Sequence, residues 1–524
     1  MAERRLGQLL REVTPYFILL IFLTTLGPLQ FGFHLAELNA PQSVITCRKK
    51  SILTTVLRSA VGLGDAITKA GQPHHSTNPL TFPECIHMSE AAFATISAMF
   101  TVGGLMGALY AGRLASEKGR VRAMAYTSLV FGLGSATETM AGNVPVMCIG
   151  RIFTGIGAGA STVIVPLYIS EIAPPAERGF FGAMTQISIN IGILLTQTLG
   201  YFLSYGKVWR YIFAAGTCIA LAHGIGLCFV PESPTWLAAA GKHAKARRIL
   251  QRIRGRGTDI REETRHRGYP EVPLSARDAE EEGLLNQTDG SVSTPRMPTA
   301  PARRVHHMGF AEVIKDSRTR PAIIAVVGIM VTQQLCGINS IIMYSVSLLA
   351  DLLPIHSALL TIIISGVNLF MTIASAPLPD CLGRKTCLLI SIFGQGLSSL
   401  ALALSILYGA KVVSAVAVLF FVAFFAVGLG PVPFILASEL VDPEAVGATQ
   451  SWALAANYIA TFLVAQFFPL VNTALNKALG KAGWVYFLFT GLAVLGGIFV
   501  SALVPETKGK ANADEVWGRE RRLD

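Results

Sequence analysis

Twelve apolar stretches, each about as long as a bilayer core is thick, dominate this 524-residue chain. They run over 16–38, 90–114, 122–141, 145–168, 181–203, 209–230, 322–350, 356–378, 387–408, 412–438, 448–471 and 483–504. Roughly 20 apolar residues in a helix cross the hydrocarbon region. In lipid every backbone N–H and C=O must find its partner within the segment, so such stretches are helices. The expected fold is an all-α, multi-pass membrane protein with twelve transmembrane helices. The composition agrees: 52% of residues are hydrophobic, 14% are charged, and the mean hydropathy is +0.52. A soluble domain carries about 25% charged residues.

The chain also states one pattern twice. Leu167-Tyr168-Ile169-Ser170-Glu171 is followed by Gly179, and Leu436-Ala437-Ser438-Glu439-Leu440 by Gly447 at the same spacing. Pro231-Glu232-Ser233 closes the first apolar half and Pro505-Glu506-Thr507 the second. Gly119-Arg120 and Gly383-Arg384 each follow an early helix of their half. A repeat in a lipid-soluble chain is the mark of a transporter whose two bundles rock about a central site. It predicts two pseudo-symmetric six-helix bundles at 16–230 and 321–504. Flanking them are an N-terminus (1–15), a loop (41–88), a polar linker (231–320) and a tail (505–524).

Positive charge collects in alternate connections. It lies before the first span, at Arg113, Lys118, Arg120 and Arg122, over Lys242 to Arg256, at Arg384 and Lys385, and in the tail. The rule that cytoplasmic loops are positive then puts both termini in the cytoplasm. The formal charge of +11 therefore points to no nucleic acid. Arg48, Lys49, Lys50, Arg58 and Lys69 run against this on the external loop, but long loops weigh less in the rule. Cys47 and Cys85 share that loop, either as a disulfide or as two free thiols. The other six cysteines, in or beside spans, read as small apolar packing residues. The sequon at Asn286 falls on the cytoplasmic side, where no glycan is expected. In the linker, Lys242 to Arg254 has helical, basic character, and Arg261 to Ala302 is expected to be largely disordered. The basic run reads as a solvated helix near anionic headgroups or as a partner-docking segment.

Glycine and proline interrupt several spans. The tenth holds Gly428, Gly430, Pro431 and Pro433, and the seventh holds Gly337 just before Asn339. Broken helices of this kind line cavities. Uncharged amides also sit at membrane depth: Gln186, Asn190, Gln333, Gln334, Asn339, Asn368 and Asn457. Singly, each reads as an interhelical hydrogen-bonding group. Together, with no buried cation or paired acids expected among them, they suit a neutral polyhydroxylated solute, because an amide both donates and accepts as a hydroxyl does.

At these residues the chain resembles the sugar porter branch of the major facilitator superfamily, and within it the facilitative glucose transporters. The matching motifs include Leu29-Gln30-Phe31-Gly32 with Asn39-Ala40-Pro41-Gln42, Gly150-Arg151, Arg178-Gly179, Trp209-Arg210, Gln333-Gln334 with Gly337-Ile338-Asn339, Gly383-Arg384-Lys385, Gly430-Pro431 and Pro505-Glu506-Thr507-Lys508-Gly509. The resemblance implies that Gln186, Gln333, Gln334, Asn339, Asn368 and Asn457 hold hexose hydroxyls. It also implies a cytoplasmic gate built from Glu171, Arg178, Glu439, Arg151 and Arg384, with Arg178 and Glu439 as its remaining cross-half pair. Several places depart from the family pattern. Glu117, Cys381 and Val446 stand where Arg is usual, which leaves Glu171 without its expected partner. Ala426 and Phe434 stand where an acid and a Trp are usual. Met343, beside Tyr344, stands at the gating Tyr. His34 occupies the first-helix position that is Asp in proton-coupled members and Asn in facilitative ones, with Glu37 one turn on. A histidine there can titrate near neutral pH.

The expected function is transport of a monosaccharide, a hexose such as glucose, by alternating access. Facilitated diffusion leads, with proton symport through His34 and Glu37 as the other mode. The competing class is a non-transporting sugar sensor or trafficking protein on a transporter fold. No nucleotide loop, metal cluster or catalytic triad is legible, so no enzyme, cofactor or metal is expected. The expected partners are the sugar, protons in the symport case, and the bilayer of a plasma or vacuolar/organellar membrane.

Overall fold

A computed structural model describes residues 14–47, 83–174, 178–255, 260–266, 310, 312–349, 357–442, 444–510 and 513–519. The basic residues expected on the long loop, the sequon at Asn286 and most of the stretch expected to be disordered lie outside the described residues.

Each of the twelve apolar stretches is a helix or a broken helix. In order they are Pro15–Ala36, Glu90–Lys118, Arg120–Met140, Val144–Ile172, Arg178–Leu203, Arg210–Leu227, Arg320–Leu335 with Ile338–Leu349, Ser357–Ser375, Arg384–Leu407, Lys411–Val427 with Val432–Glu439, Val446–Leu479 and Trp484–Leu503. They are called the first to twelfth helices below. Eight of the described spans are long and apolar enough on their own to cross a membrane, and the two pieces of the seventh, bent by 42°, would make a ninth. The local causes are ordinary. Ser89 and Asn143 cap their helices by accepting the N–H groups of Ala92 and Val146. The seventh helix breaks at Gly337, which has a φ of +97° that favours glycine. The tenth breaks over residues 428–431, where proline removes a backbone donor.

Packing repeats between the halves. The second helix lies on the fourth as the eighth lies on the tenth, and the third lies on the sixth as the ninth lies on the twelfth. Across the halves the second meets the eleventh and the fifth meets the eighth, a pair exchanged by the same pseudo-symmetry. These are two pseudo-symmetric six-helix bundles. Glycine sets some of the closest contacts. A Cβ on Gly159 of the fourth helix would overlap the carbonyl oxygen of Gly104 on the second.

The described residues within Met1–Leu19 and Pro231–His307 form a separate compact unit. Within it Leu237, Ala246, Leu250 and Ile260 bury a small core under the amphipathic helix His243–Arg254. Arg254 donates to both carboxylate oxygens of Glu263 (2.9 and 2.8 Å). That contact holds a short helix, Arg261–His266, at the start of the stretch expected to be disordered. Thr14 donates to the carbonyl of Ile253 (2.8 Å), which ties the start of the first helix to the linker. Cys47 and Cys85 are joined as a disulfide, which decides between the two readings left open by the sequence. The idea that the other cysteines pack as small apolar groups holds for Cys336 and Cys387, which are buried. Cys218, Cys228 and Cys381 are exposed on the outside of the protein.

Candidate functional site

All six amides expected at the site line one central cavity between the halves. Asn190, noticed in the sequence but not placed at the site, joins them, with Thr101, Thr162, Thr461, Phe31, Phe100, Phe425, Phe434 and Tyr458 among the remaining walls. The two broken helices explain the convergence. The break at Gly337 lets Gln333 and Gln334 end one helical piece and Asn339 begin the next. The break of the tenth helix frees backbone carbonyls toward them.

The amides form a connected chain. Gln333 donates through Nε2 to the freed carbonyl of Leu429. Its Oε1 accepts from Gln334 Nε2 (3.1 Å) and from Asn457 Nδ2 (2.5 Å). Asn339 Nδ2 donates to Gln334 Oε1 (2.6 Å) and Thr461 Oγ1 (3.3 Å). On the facing half, Gln186 donates weakly to Asn190 Oδ1 (3.4 Å), and Asn190 donates to Thr372 Oγ1 (2.7 Å). Asn368 donates to Asn190 across the interface (3.3 Å), while its buried Oδ1 has no hydrogen-bond partner among the described residues. The cavity therefore presents donors and acceptors in pairs, with ring faces beside them and, among the described residues, no charged side chain in its wall. Such a lining matches a neutral solute carrying several hydroxyls on an apolar ring. Of the departures from the family pattern, Phe434 lines this cavity. Tyr344 does not: it is buried and donates to the carbonyl of Ala465 (2.7 Å).

One end of the cavity is closed by contacts between the halves. Asn39 Nδ2 donates to the carbonyl of Ile342 (3.0 Å), and the rings of Phe93 and Tyr344 meet edge-on at 6.4 Å.

The expected cross-half pair of Arg178 with Glu439 lies outside the described residues. Glu439 is held inside its own half by Arg384 (2.9 and 3.2 Å) and by Thr507, so it is already engaged without Arg178, whose side chain lies outside the described residues. The cause is local: Arg384 opens the ninth helix directly against the end of the tenth. Glu171 keeps a partner after all, since Arg120 grips both its oxygens (2.7 to 3.2 Å). Arg120–Glu171 and Arg384–Glu439 are the same contact repeated in the two halves, and each Arg follows a glycine with positive φ. The Gly-Arg repeat was the signal that could have shown this pairing.

Arg151 is not at this end of the molecule. It lies two turns into the fourth helix, whereas Glu171 closes it, about 30 Å further along at 1.5 Å per residue. Arg151 is fully buried and donates through Nη1 to Glu37 Oε1 (2.5 Å) and to the carbonyl of His34 (2.7 Å). Glu37 Oε2 pairs with His34 Nδ1 at 2.8 Å. Glu138 of the third helix completes the group, with its oxygen on Thr154 (2.8 Å). A buried cation and paired acids thus exist in the protein, but behind the cavity and not among its amides. Arg151 and Glu138 were each hidden inside a long apolar run, where one charge barely lowers the mean hydropathy.

A family model described as "Sugar (and other) transporter" matches residues 20–516. A probable metabolite transport protein of Saccharomyces cerevisiae is 31% identical over 513 residues, covering 96% of each chain. The vacuolar protein sorting-associated protein 73 of the same yeast is 28% identical, covering 95% of each. The facilitated glucose transporter member 3 of solute carrier family 2 from Rattus norvegicus is 28% identical over 96% of this chain and 92% of its own. Among solved structures, the partially occluded inward-open xylose transporter XylE from E. coli superposes with a TM-score of 0.68 at 25% identity, over 95% of this chain and all of that one. The fold is that of the major facilitators, and with the family model covering nearly its whole length, the chain belongs to the sugar transporter family.

Proposed function

We propose that this protein moves a monosaccharide, a hexose such as glucose, across its membrane by alternating access. The amides Gln186, Gln333, Gln334, Asn339, Asn368 and Asn457 exchange their mutual hydrogen bonds for those of the sugar. The observation that carries this reading is the uncharged, amide-lined cavity between two pseudo-symmetric bundles. The Arg120–Glu171 and Arg384–Glu439 contacts each brace helix ends within one bundle, so that each bundle moves as a unit, and both termini, with the linker, face the cytoplasm of a plasma or organellar membrane. Uptake of a panel of labelled monosaccharides into proteoliposomes tests it. Saturable uptake of a hexose supports it. Binding without uptake favours a sensor that kept the fold, and neither binding nor uptake of any monosaccharide rejects it.

A second mode is favoured by one specific observation. His34, at the end of the first helix, and Glu37, in the turn just past it, stand in a sealed ionisable group, which suits coupling of sugar movement to a proton. Uptake that responds to an imposed pH gradient distinguishes it from facilitated diffusion.

A further inference from the structure

We propose that Glu138, on the third helix, holds the single exchangeable proton of the sealed cluster behind the cavity wall. This rests on the transport reading only where sugar uptake is the readout.

The argument begins with charge. His34, Glu37, Glu138 and Arg151 are all 0 to 1% exposed, and ligating atoms of His34, Glu37 and Glu138 lie within 4.8 Å of one another. Arg151 brings one positive charge and the two carboxyls bring two negative charges. A net charge in a dry, membrane-embedded site is costly, so the group binds one further proton to reach neutrality.

Hydrogen bonding locates that proton. Both oxygens of Glu37 are engaged, one by Arg151 Nη1 and the other by His34 Nδ1, so Glu37 is the ionised partner. Glu138 has one oxygen accepting from Thr154, and its other, Oε2, is buried with no donor on it among the described residues and faces the Glu37 carboxylate, to which only a protonated Glu138 can donate. An unpartnered neutral carboxyl costs far less than an unpartnered carboxylate. His34, with Nε2 also unpartnered, needs only its neutral tautomer to donate to Glu37.

Among the described residues the surroundings supply no competing charge. The third helix packs on the fourth and sixth, and also touches the second. From the first helix comes His34, from the turn after it Glu37, and from the fourth helix Arg151. From the sixth, Arg210 donates to the carbonyls of Thr139 and Ala141, and His223 is bonded to Gln30 near the level of Ser128. The charged residues of the second helix, Glu90, Arg113, Glu117 and Lys118, sit toward its two ends.

The same cluster touches the transport path. The Arg151 guanidinium lies 4.5 Å over Phe100, and Phe100 stacks on Phe31 at 6.0 Å. Both rings line the cavity. Glu37 is two residues from Asn39, whose bond to Ile342 closes this end. Opening that end admits water. Only then can the O–H bond of Glu138 break, with the proton passing to water and a net charge of −1 left beside Arg151.

Infrared difference spectra of the purified protein, taken across a pH titration in detergent, read the carboxyl directly. A protonated-carboxyl band is expected in the native protein and, at the same position, in Glu37→Asp, which keeps the ionised partner of Arg151, and it is lost in Glu138→Gln. Glu138→Asp, which keeps the acid, should retain a shifted band. In proteoliposomes, net sugar uptake by Glu138→Gln should lose the pH dependence of the native protein. A band unaffected by Glu138→Gln, or an unchanged pH profile of uptake in that variant, overturns the proposal. If no variant and no native sample takes up sugar, the transport reading fails and the infrared band alone decides the proton site.

Discussion

At the scale of single residues, two kinds of polar group are buried here, and they respond differently to substitution. Gln333 is the hub of the uncharged network, joined to Gln334, Asn457 and the tenth-helix backbone. Its contacts are neutral hydrogen bonds worth about 0.5–1.5 kcal/mol each. Gln333→Ala should weaken sugar binding by roughly two- to tenfold per lost bond, because 1.4 kcal/mol is tenfold. Isothermal titration or competition binding checks this, and unchanged affinity would remove Gln333 from the site. Arg151 is charged and sealed. Arg151→Leu leaves Glu37 buried beside no cation, and breaking a buried pair costs about 3–5 kcal/mol. A large drop in thermal stability is expected, and Arg151→Leu combined with Glu37→Gln should recover much of it.

At the scale of elements, helix ends carry as much information as helix faces. Glu506 accepts the backbone N–H groups of Arg384 and Lys385 at the start of the ninth helix, and those of Thr507 and Lys508 in its own turn (2.8 to 3.1 Å). Burial pushes this carboxyl up, but the backbone donors of Lys508, Arg384, Thr507 and Lys385 outweigh it and hold it below the usual carboxylate range. A depressed native value stabilises the fold above the unfolded carboxyl's pKa of about 4.3. That stabilisation fades as pH falls through the native value. Glu506→Gln should lower stability at neutral pH by about 0.5–1 kcal/mol, discounted for its partial exposure, and should flatten the acid limb of a stability–pH curve. Helix faces fail differently. Gly159→Val would force apart the second and fourth helices where their backbones touch, and folded yield should collapse in size-exclusion profiles of the solubilised protein.

At the scale of the whole molecule, the halves are joined at one end of the cavity by Asn39, Ile342, Phe93 and Tyr344. A contact made only when that end is closed biases the equilibrium toward the closed state. Asn39→Ala removes one hydrogen bond and should raise the labelling rate of a cysteine placed at Ile342 by roughly two- to tenfold, for 0.5–1.5 kcal/mol of lost contact. An unchanged rate would mean that this bond does not hold the end shut.

The sequence alone determined the features set by local chemistry and by lipid. Runs of bilayer length must be helices, the repeated Gly-Arg and Ser-Glu signatures imply two related halves, and the breaks at Gly337 and Pro431 follow from backbone geometry. The amides were legible because a polar group in an apolar run stands out. Tertiary structure decided which charges meet. Arg384 captures Glu439, and Arg120 captures Glu171, because helix ends only become neighbours on folding. Arg151 reads as a gate residue in a motif, yet the third and first helices surround it with Glu138, Glu37 and His34. Ion pairing depends on distances of a few ångströms between residues 51 to 114 positions apart, and periodicity along a chain carries no such information.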